Sequence, residues 1–417
     1  MERNKSFPVM VALLCFGAAL WAVRCGSSGT TRPGPGACRD ATDSGREERR
    51  PHFVTRQILG APGEGATVLY RLDTSRMTAA PVVVRGSDSN DALALRFEGS
   101  GELMFLERFL GDRRSRLTRT SCDLGGSRRE IGTLPPNTFG LGTTAKDRLV
   151  ALGWNDGTLT SFSLDFATTE INNVAPSVVG SGFVALEKYD RHFNTLLVRG
   201  DRRYVVTTGY DLQEFRPTQA KVLELSKDLL SVVSVSEVTE CYNAYQDYTL
   251  QVSSSQVVVG CNPQYRGDNG LPLRLVAVEI GDDAVLRTRV LAQPTDAEAR
   301  IMIPGGLTQN REWLLVTEET VTAASSATAS PGVFAGSYWL NLRTGDKSSM
   351  NTIGGRVIYD EVERAYVMSC AVNNRGEPCK SGGFVVLKAE SWDQAQSAEW
   401  KPVKFDYDFY QFERPAF

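Results

Sequence analysis

The sequence predicts an all-β fold in which about seven small antiparallel sheets, of three to four strands each, repeat around one axis. Three observations lead there. Beyond residue 52, short runs of Val, Leu, Tyr and Thr bounded by Gly, Asn, Asp and Ser replace helical periodicity. These runs come in pairs that recur at a mean interval of about 52 residues. The composition, 41% hydrophobic with 38 glycines and 18 prolines in 417 residues, supplies both a core and many turns.

The first members of the pairs are Phe53-Val54-Thr55, Leu103-Met104-Phe105-Leu106, Leu149-Val150-Ala151-Leu152, Tyr204-Val205-Val206, Val257-Val258-Val259, Trp313-Leu314-Leu315-Val316 and Ala365-Tyr366-Val367-Met368. Each is followed by a loop and a second run that ends apolar–polar–apolar. Those endings are Leu72-Asp73-Thr74, Cys122-Asp123-Leu124, Leu164-Asp165-Phe166, Leu223-Glu224-Leu225, Val278-Glu279-Ile280, Leu340-Asn341-Leu342 and Leu387-Lys388-Ala389. Their centres lie 50, 42, 59, 55, 62 and 47 residues apart. A third run follows some pairs: Pro81-Val82-Val83-Val84, Leu230-Ser231-Val232-Val233 and Arg287-Thr288-Arg289-Val290.

A sheet of this size cannot bury both faces alone, but sheets set radially bury one another and leave only short edges. The pattern resembles the degenerate seven-bladed β-propellers of exported bacterial proteins over residues 52–417. It lacks the Gly-His and Trp-Asp pairs of the WD-repeat families. Six or eight blades, or a pair of β-sandwiches, are the alternatives. Blade one lacks an inner strand before Phe53. The alternating stretch Val403–Phe412 is expected to supply it and so fasten the chain ends together. Residues 323–336 read as a polar insertion in blade six.

Arg3 and Lys5 precede an apolar run from Val9 to Val23, with Cys25 and then Gly26-Ser27-Ser28-Gly29 beyond it. A charged start, an apolar stretch too short to span a bilayer comfortably and a small polar exit make an export signal. The segment resembles a bacterial lipoprotein signal, in which the cysteine is lipidated and becomes the new N-terminus. The resemblance implies residues 1–24 as signal peptide and Cys25 as lipidation site. Gly26, rather than Asp, implies the outer membrane. Plain secretion and an uncleaved anchor are the alternatives. Residues 26–51, rich in Gly, Ser, Pro and charge, read as a flexible tether.

Without Cys15 in the signal and the lipidated Cys25, six cysteines remain, an even number that suits disulfides in an exported chain. Fifteen pairings are open. Local spacing favours Cys370 with Cys379 across a turn-rich loop, then Cys241 with Cys261 around a hairpin. Cys38 with Cys122 is left by elimination.

No catalytic, cofactor-binding or metal-ligating residue is assigned. Two histidines, His52 and His192, exclude a site of three His ligands. Asp88-Ser89-Asn90-Asp91 offers hard oxygen ligands that suit Ca²⁺, but not in the order of a calcium loop, and reads as a polar turn. Asn155-Asp156-Gly157 and Gly267-Asp268-Asn269-Gly270 read as turns. Aromatic residues Tyr242, Tyr245, Tyr248, Tyr338, Trp339, Trp392 and Trp400 read mainly as packing between blades. The densest stretch, Glu240–Tyr248, is the candidate for stacking on a ligand.

The expected function is a non-enzymatic binding or scaffold protein at the outer membrane. Its partners are the membrane, through the lipid, and a protein or cell-surface molecule. The alternative is a periplasmic metal-dependent hydrolase or lactonase. A net charge of -3 argues against nucleic acid.

Overall fold

A computed structural model describes the backbone of 52–58, 65–85, 91–96, 103–108, 115–120, 129–134, 138–145, 148–153, 159–165, 170–172, 193–211, 216–227, 231–244, 248–262, 271–294, 301–320, 333–350, 355–361, 363–370, 383–396, 399–403 and 414–415. Side chains are described at Leu72, at 74–77 and through most of 194–403. The chain divides into two units, Met1–Gly34 and Pro35–Phe417, and the described residues all lie in the second.

Sheet 1 contains β1 (His52–Ile58), β2 (Gly65–Asp73) and β3 (Thr78–Arg85). Sheet 2 contains β4 (Asp91–Arg96), β5 (Leu103–Arg108), β6 (Ser115–Thr120) and β7 (Arg129–Leu134). Sheet 3 contains β8 (Thr138–Ala145), β9 (Arg148–Gly153), β10 (Leu159–Asp165) and β11 (Glu170–Asn172). In sheet 4, β12 (Phe193–Arg199) and β13 (Arg202–Thr207) are followed by a small ribbon of β14 (Tyr210–Asp211) and β15 (Arg216–Pro217). The sheet then continues with β16 (Gln219–Leu225) and β17 (Val232–Tyr242). Sheet 5 contains β18 (Thr249–Ser253), β19 (Gln256–Cys261), β20 (Arg274–Ile280) and β21 (Leu286–Ala292). Sheet 6 contains β22 (Ile301–Leu307), β23 (Trp313–Thr320), β24 (Val333–Asn341) and β25 (Lys347–Ser349). Sheet 7 contains β26 (Val357–Asp360), β27 (Ala365–Cys370), β28 (Gly383–Lys388), the short helix α1 (Trp392–Ala395) and β29 (Lys401–Pro402). The last strand, β30 (Arg414–Pro415), returns to pair with β1 in sheet 1.

Every sheet of four is an antiparallel meander taken in chain order, except that β30 stands in the first place of sheet 1. The fold is a β-propeller, and seven four-stranded sheets are compatible with the sevenfold repeat of the sequence. The first run of each pair falls on the second strand of its sheet and the second run on the third. Cys122-Asp123-Leu124 lies outside the described residues. The closing strand belongs to blade one, as the missing inner strand required. However, the described pairing is Phe53 with Pro415 and Val54 with Arg414, just beyond the expected segment; 404–413 lie outside the described residues. Val333–Gly336, expected within the polar insertion, instead open β24.

Strand alternation explains why the sheets need one another. In sheet 5, Val257, Val259, Val276 and Val278 join Tyr204, Val206 and Val222 of sheet 4 in one buried cluster. The residues between them in sequence, Val258, Leu275 and Ala277, join Leu314, Val316, Tyr338 and Leu340 of sheet 6. On the other face of sheet 6, Leu315 and Trp339 meet Tyr366, Met368, Val385 and Leu387 of sheet 7. The opposite face of sheet 7, through Val367, Phe384 and Val386, packs on Leu72 of sheet 1 and so closes the ring. Successive residues of a strand point to opposite faces, so each sheet feeds two cores.

The repeat is visible in direction as well as position. Leu72, Val278, Leu340 and Leu387 open the apolar–polar–apolar endings, and each packs on the preceding sheet. A rotation that carries one sheet onto the next produces this result; a β-sandwich does not.

Candidate functional site

The two ends of the ring differ in their connections. One end carries the turns between first and second strands and between third and fourth. The other carries the connections between second and third strands and the crossings from sheet to sheet. First-to-second turns are short: Gly200 and Asp201 in sheet 4, Ser254 and Ser255 in sheet 5. Second-to-third connections are longer, spanning 262–273 in sheet 5, 321–332 in sheet 6 and 371–382 in sheet 7.

Buried polar side chains follow the same division. At the turn end lie Thr74, Ser255, Thr308, Asn341 and Asp360. Most of these are local caps. The Asn341 carboxamide oxygen accepts from the amides of Arg343 and Thr344, each at 2.9 Å. Thr74 donates to the Asp360 carboxylate at 2.7 Å, which ties sheet 1 to sheet 7.

At the connection end lie Asn194, Thr195, Thr207, Thr208, Asn243, Asn262, Glu318, Glu319, Arg356 and Ser369. Charged side chains are seldom fully buried, yet Glu318 is 1% exposed, Glu319 5% and Arg356 6%. The Arg356 guanidinium donates to the carbonyl of Pro304 on the neighbouring sheet. Its backbone amide donates to the Ser369 hydroxyl at 2.9 Å, and the Ser369 amide donates to the Arg356 carbonyl at 2.7 Å. Glu318 lies beside the Tyr338 phenol. Burial and that neighbouring carboxylate push the phenol pKa well above its ordinary value.

Sheets 4 and 5 meet at this end in a tight knot. Gly209, at φ +63°, has its carbonyl accepting from Thr218 at 2.9 Å and from Asn243 at 3.0 Å. A Cβ at Gly209 would lie 2.5 Å from the Thr218 carbonyl oxygen, so only glycine fits. Asn194 donates to the Ala244 carbonyl at 2.6 Å and to the Thr249 hydroxyl at 2.9 Å. The Asn194 carboxamide oxygen and the hydroxyls of Thr208 and Thr218 are buried with no hydrogen-bond partner among the described residues. Glu240, Asn243 and Asn262 all have positive φ.

A disulfide joins Cys241 to Cys261 across this seam, with Cα atoms 5.1 Å apart. It links the outermost strand of sheet 4 to the second strand of sheet 5. It therefore encloses the β18–β19 hairpin but staples two sheets rather than one. Cys370 ends β27, while Cys379, Cys38, Cys122 and Cys25 lie outside the described residues.

The other sequence candidates are dispersed. Asp91 opens β4, but 86–90, 154–158, 191–192 and 263–270 lie outside the described residues, and with them most of the acidic turns and His192. Trp339, Trp392 and Tyr366 are buried as a packed aromatic group between sheets 6 and 7, with Trp339 and Trp392 centroids 4.5 Å apart. Tyr338 is buried between sheets 5 and 6. Tyr242, Tyr248 and Trp400 are half-buried, and Tyr245 lies outside the described residues.

Sequence reasoning missed Glu318, Glu319 and Arg356. The available signal was the Glu pair ending the strand Trp313–Thr320. A strand covered on both faces has no solvent side for a charge, so charges there need a special reason. Among the described residues no group of three or more His, Cys, Asp or Glu side chains is placed to hold a metal ion.

No family model matches the chain, and no curated protein matches it. Solved structures do. A Bacteroides fragilis protein provisionally named a 6-phosphogluconolactonase matches with a TM-score of 0.55 at 9% identity, over 88% of this chain and 98% of that one. A Lactobacillus plantarum protein matches with a TM-score of 0.53 at 10% identity, over 88% and 100%. The periplasmic gluconolactonase of Pseudomonas aeruginosa matches with a TM-score of 0.50 at 11% identity, over 88% and 99%. At these identities the likeness is one of architecture, and the architecture shared over nearly the whole of each chain is the β-propeller.

Proposed function

We propose that this protein is an exported β-propeller, anchored to the outer membrane through Cys25, that binds a protein or cell-surface partner at its connection end. The observation that carries the reading is the concentration of buried polar groups there, opposite an end whose polar residues are mostly turn caps. Rigid sheets with long connections on one end make a binding surface whose specificity resides in the loops. In-cell photo-crosslinking tests it. A photoreactive residue at Thr239, exposed near the end of β17, is expected to capture a partner, whereas one at Arg311, exposed on a first-to-second turn, is not. Capture from Arg311 alone would overturn the reading.

A second reading, a lactone hydrolase of the periplasm, is favoured by two of the similar structures, which are named gluconolactonases. Glu318 and Glu319 give it carboxylates that could act as general base at the same end, and Arg356 a buried cation for an acidic substrate. Hydrolysis of gluconolactone or its 6-phosphate by the purified chain, lost in Glu318→Gln or Glu319→Gln, would decide for this reading.

A further inference from the structure

The seven outermost strands do not treat their open edges alike. An unpaired edge invites another strand, and proteins blunt such edges with proline, charge or shortness. β3 carries Pro81, β7 opens with Arg129 and Glu130, and β21 carries Arg287 and Arg289. β11 and β25 are three residues each, and β29 has two, Lys401 and Pro402. β17 has none of these protections in its first half. It runs for 11 residues, and Val232–Ser236 reads VVSVS, with no charge and no proline.

This half of β17 is also largely exposed. Ser231 and Val233–Glu237 are exposed on both faces of the strand. Val233 is 63% exposed and Val235 44%, two of the three large apolar side chains described as exposed. Pairing to β16 occupies one edge, with Leu223 opposite Val235 and Lys221 opposite Glu237. No other strand pairs with β17 among the described residues.

We propose that β17 is a homodimerisation edge, on which a second copy of the chain pairs antiparallel about a two-fold axis at Ser234. The edge is self-complementary in that register. Val233 falls opposite the partner's Val235, and Ser234 opposite itself. Glu237 falls opposite Ser231, so no like charges meet. Two valine pairs then cover each other on one face, the cross-strand arrangement that stabilises sheets. An isologous contact of this kind closes on itself and stops at two. It is a short interface, so dissociation on the order of 10–100 µM is expected.

Sedimentation of the full chain across that range should show monomer converting to dimer. Val233→Lys should weaken the dimer at least about tenfold with an unchanged melting temperature. Val285→Lys, at a comparably exposed valine on the β20–β21 turn, should leave it intact. Ser234→Cys should add a disulfide-linked dimer, absent from the parent, on non-reducing gels. A monomer at every concentration would overturn the proposal, as would a dimer indifferent to Val233→Lys. Hydrogen-exchange protection, in the monomer, of those amides of 232–237 that point away from β16 would also overturn it, by assigning the edge to the chain's own cover. So would protection that appears only with an added extended peptide, which would assign the edge to another protein.

Discussion

Leu223 and Glu224 show how finely a single position is specified. They are adjacent on β16, yet Leu223 is fully buried while Glu224 is half-buried, bonded to Ser234 at 3.0 Å and paired with Arg202 at 3.3 Å. Leu223→Asp should cost on the order of 4 kcal/mol or more, because it removes core volume and buries an unpaired charge. Glu224→Ala should cost a small fraction of that, since its partner Arg202 faces solvent. Chemical denaturation of the two variants measures the difference, and equal losses would mean that the strand faces have been misassigned. Tyr338 adds a pH dependence. Its phenol ionises near 10 when unfolded and stays protonated well above that when folded. Above pH 10 the unfolded state therefore binds fewer protons, and stability falls as pH rises. The contribution is fully present below about 10. Tyr338→Phe should lose less stability than the parent between pH 9 and 11, and parallel curves would remove the argument.

At the scale of elements, the seam between sheets 4 and 5 is held by several kinds of bond at once. Tyr242 and Asn262 exchange hydrogen bonds at 2.6 and 2.7 Å, Arg274 pairs with Glu240 at 3.3 Å, and the disulfide lies between them. The cysteines are 20 residues apart, so loop closure alone contributes about 3 kcal/mol. Cys241→Ala with Cys261→Ala should lower stability by about that amount. Non-reducing peptide mapping should recover the 241–261 link, and two free thiols there would refute it. The strands themselves were legible from the sequence because period-two runs and turn residues act locally. The endings around Leu223, Val278 and Leu340 fell on the third strand of successive sheets for that reason. What the sequence did not reveal depends on neighbours far along the chain. The α1 helix is four residues, below any detectable period. The β14–β15 ribbon has two residues per strand. The burial of Glu318, Glu319 and Arg356 follows from which sheet lies beside them, not from their own surroundings in sequence. The Cys241–Cys261 pairing itself was legible from the spacing around the hairpin; that it joins two sheets, through the end of β17 and the end of β19, was not.

For the whole molecule, a ring of sheets has one weak point, the seam where the chain ends meet. Six of the seven sheets each come from one continuous stretch of chain, but sheet 1 is completed by β30, more than 300 residues away in sequence. Among the described residues, closure includes Phe53 with Pro415, Val54 with Arg414, Leu72 in the core of sheet 7 and Thr74 on Asp360. Deleting residues 414–417 should strip the first strand from sheet 1 without emptying the Leu72 core. The loss should be partial, about 2–4 kcal/mol, with the early melting confined to sheet 1 and its seam with sheet 7. Thr74→Val tests the other half of the seam. It removes one donor from the buried Asp360 carboxylate, which keeps the Glu363 amide at 3.1 Å, and should cost about 1–3 kcal/mol. The two changes act on one closure, so together they should destabilise by less than the sum of their separate effects once the seam has opened. Hydrogen exchange on 52–58 and 365–370 reads the opening directly. If the deletion leaves exchange at 52–58 unchanged, β30 does not close the ring, and the joint between sheets 7 and 1 must rest on side-chain packing alone.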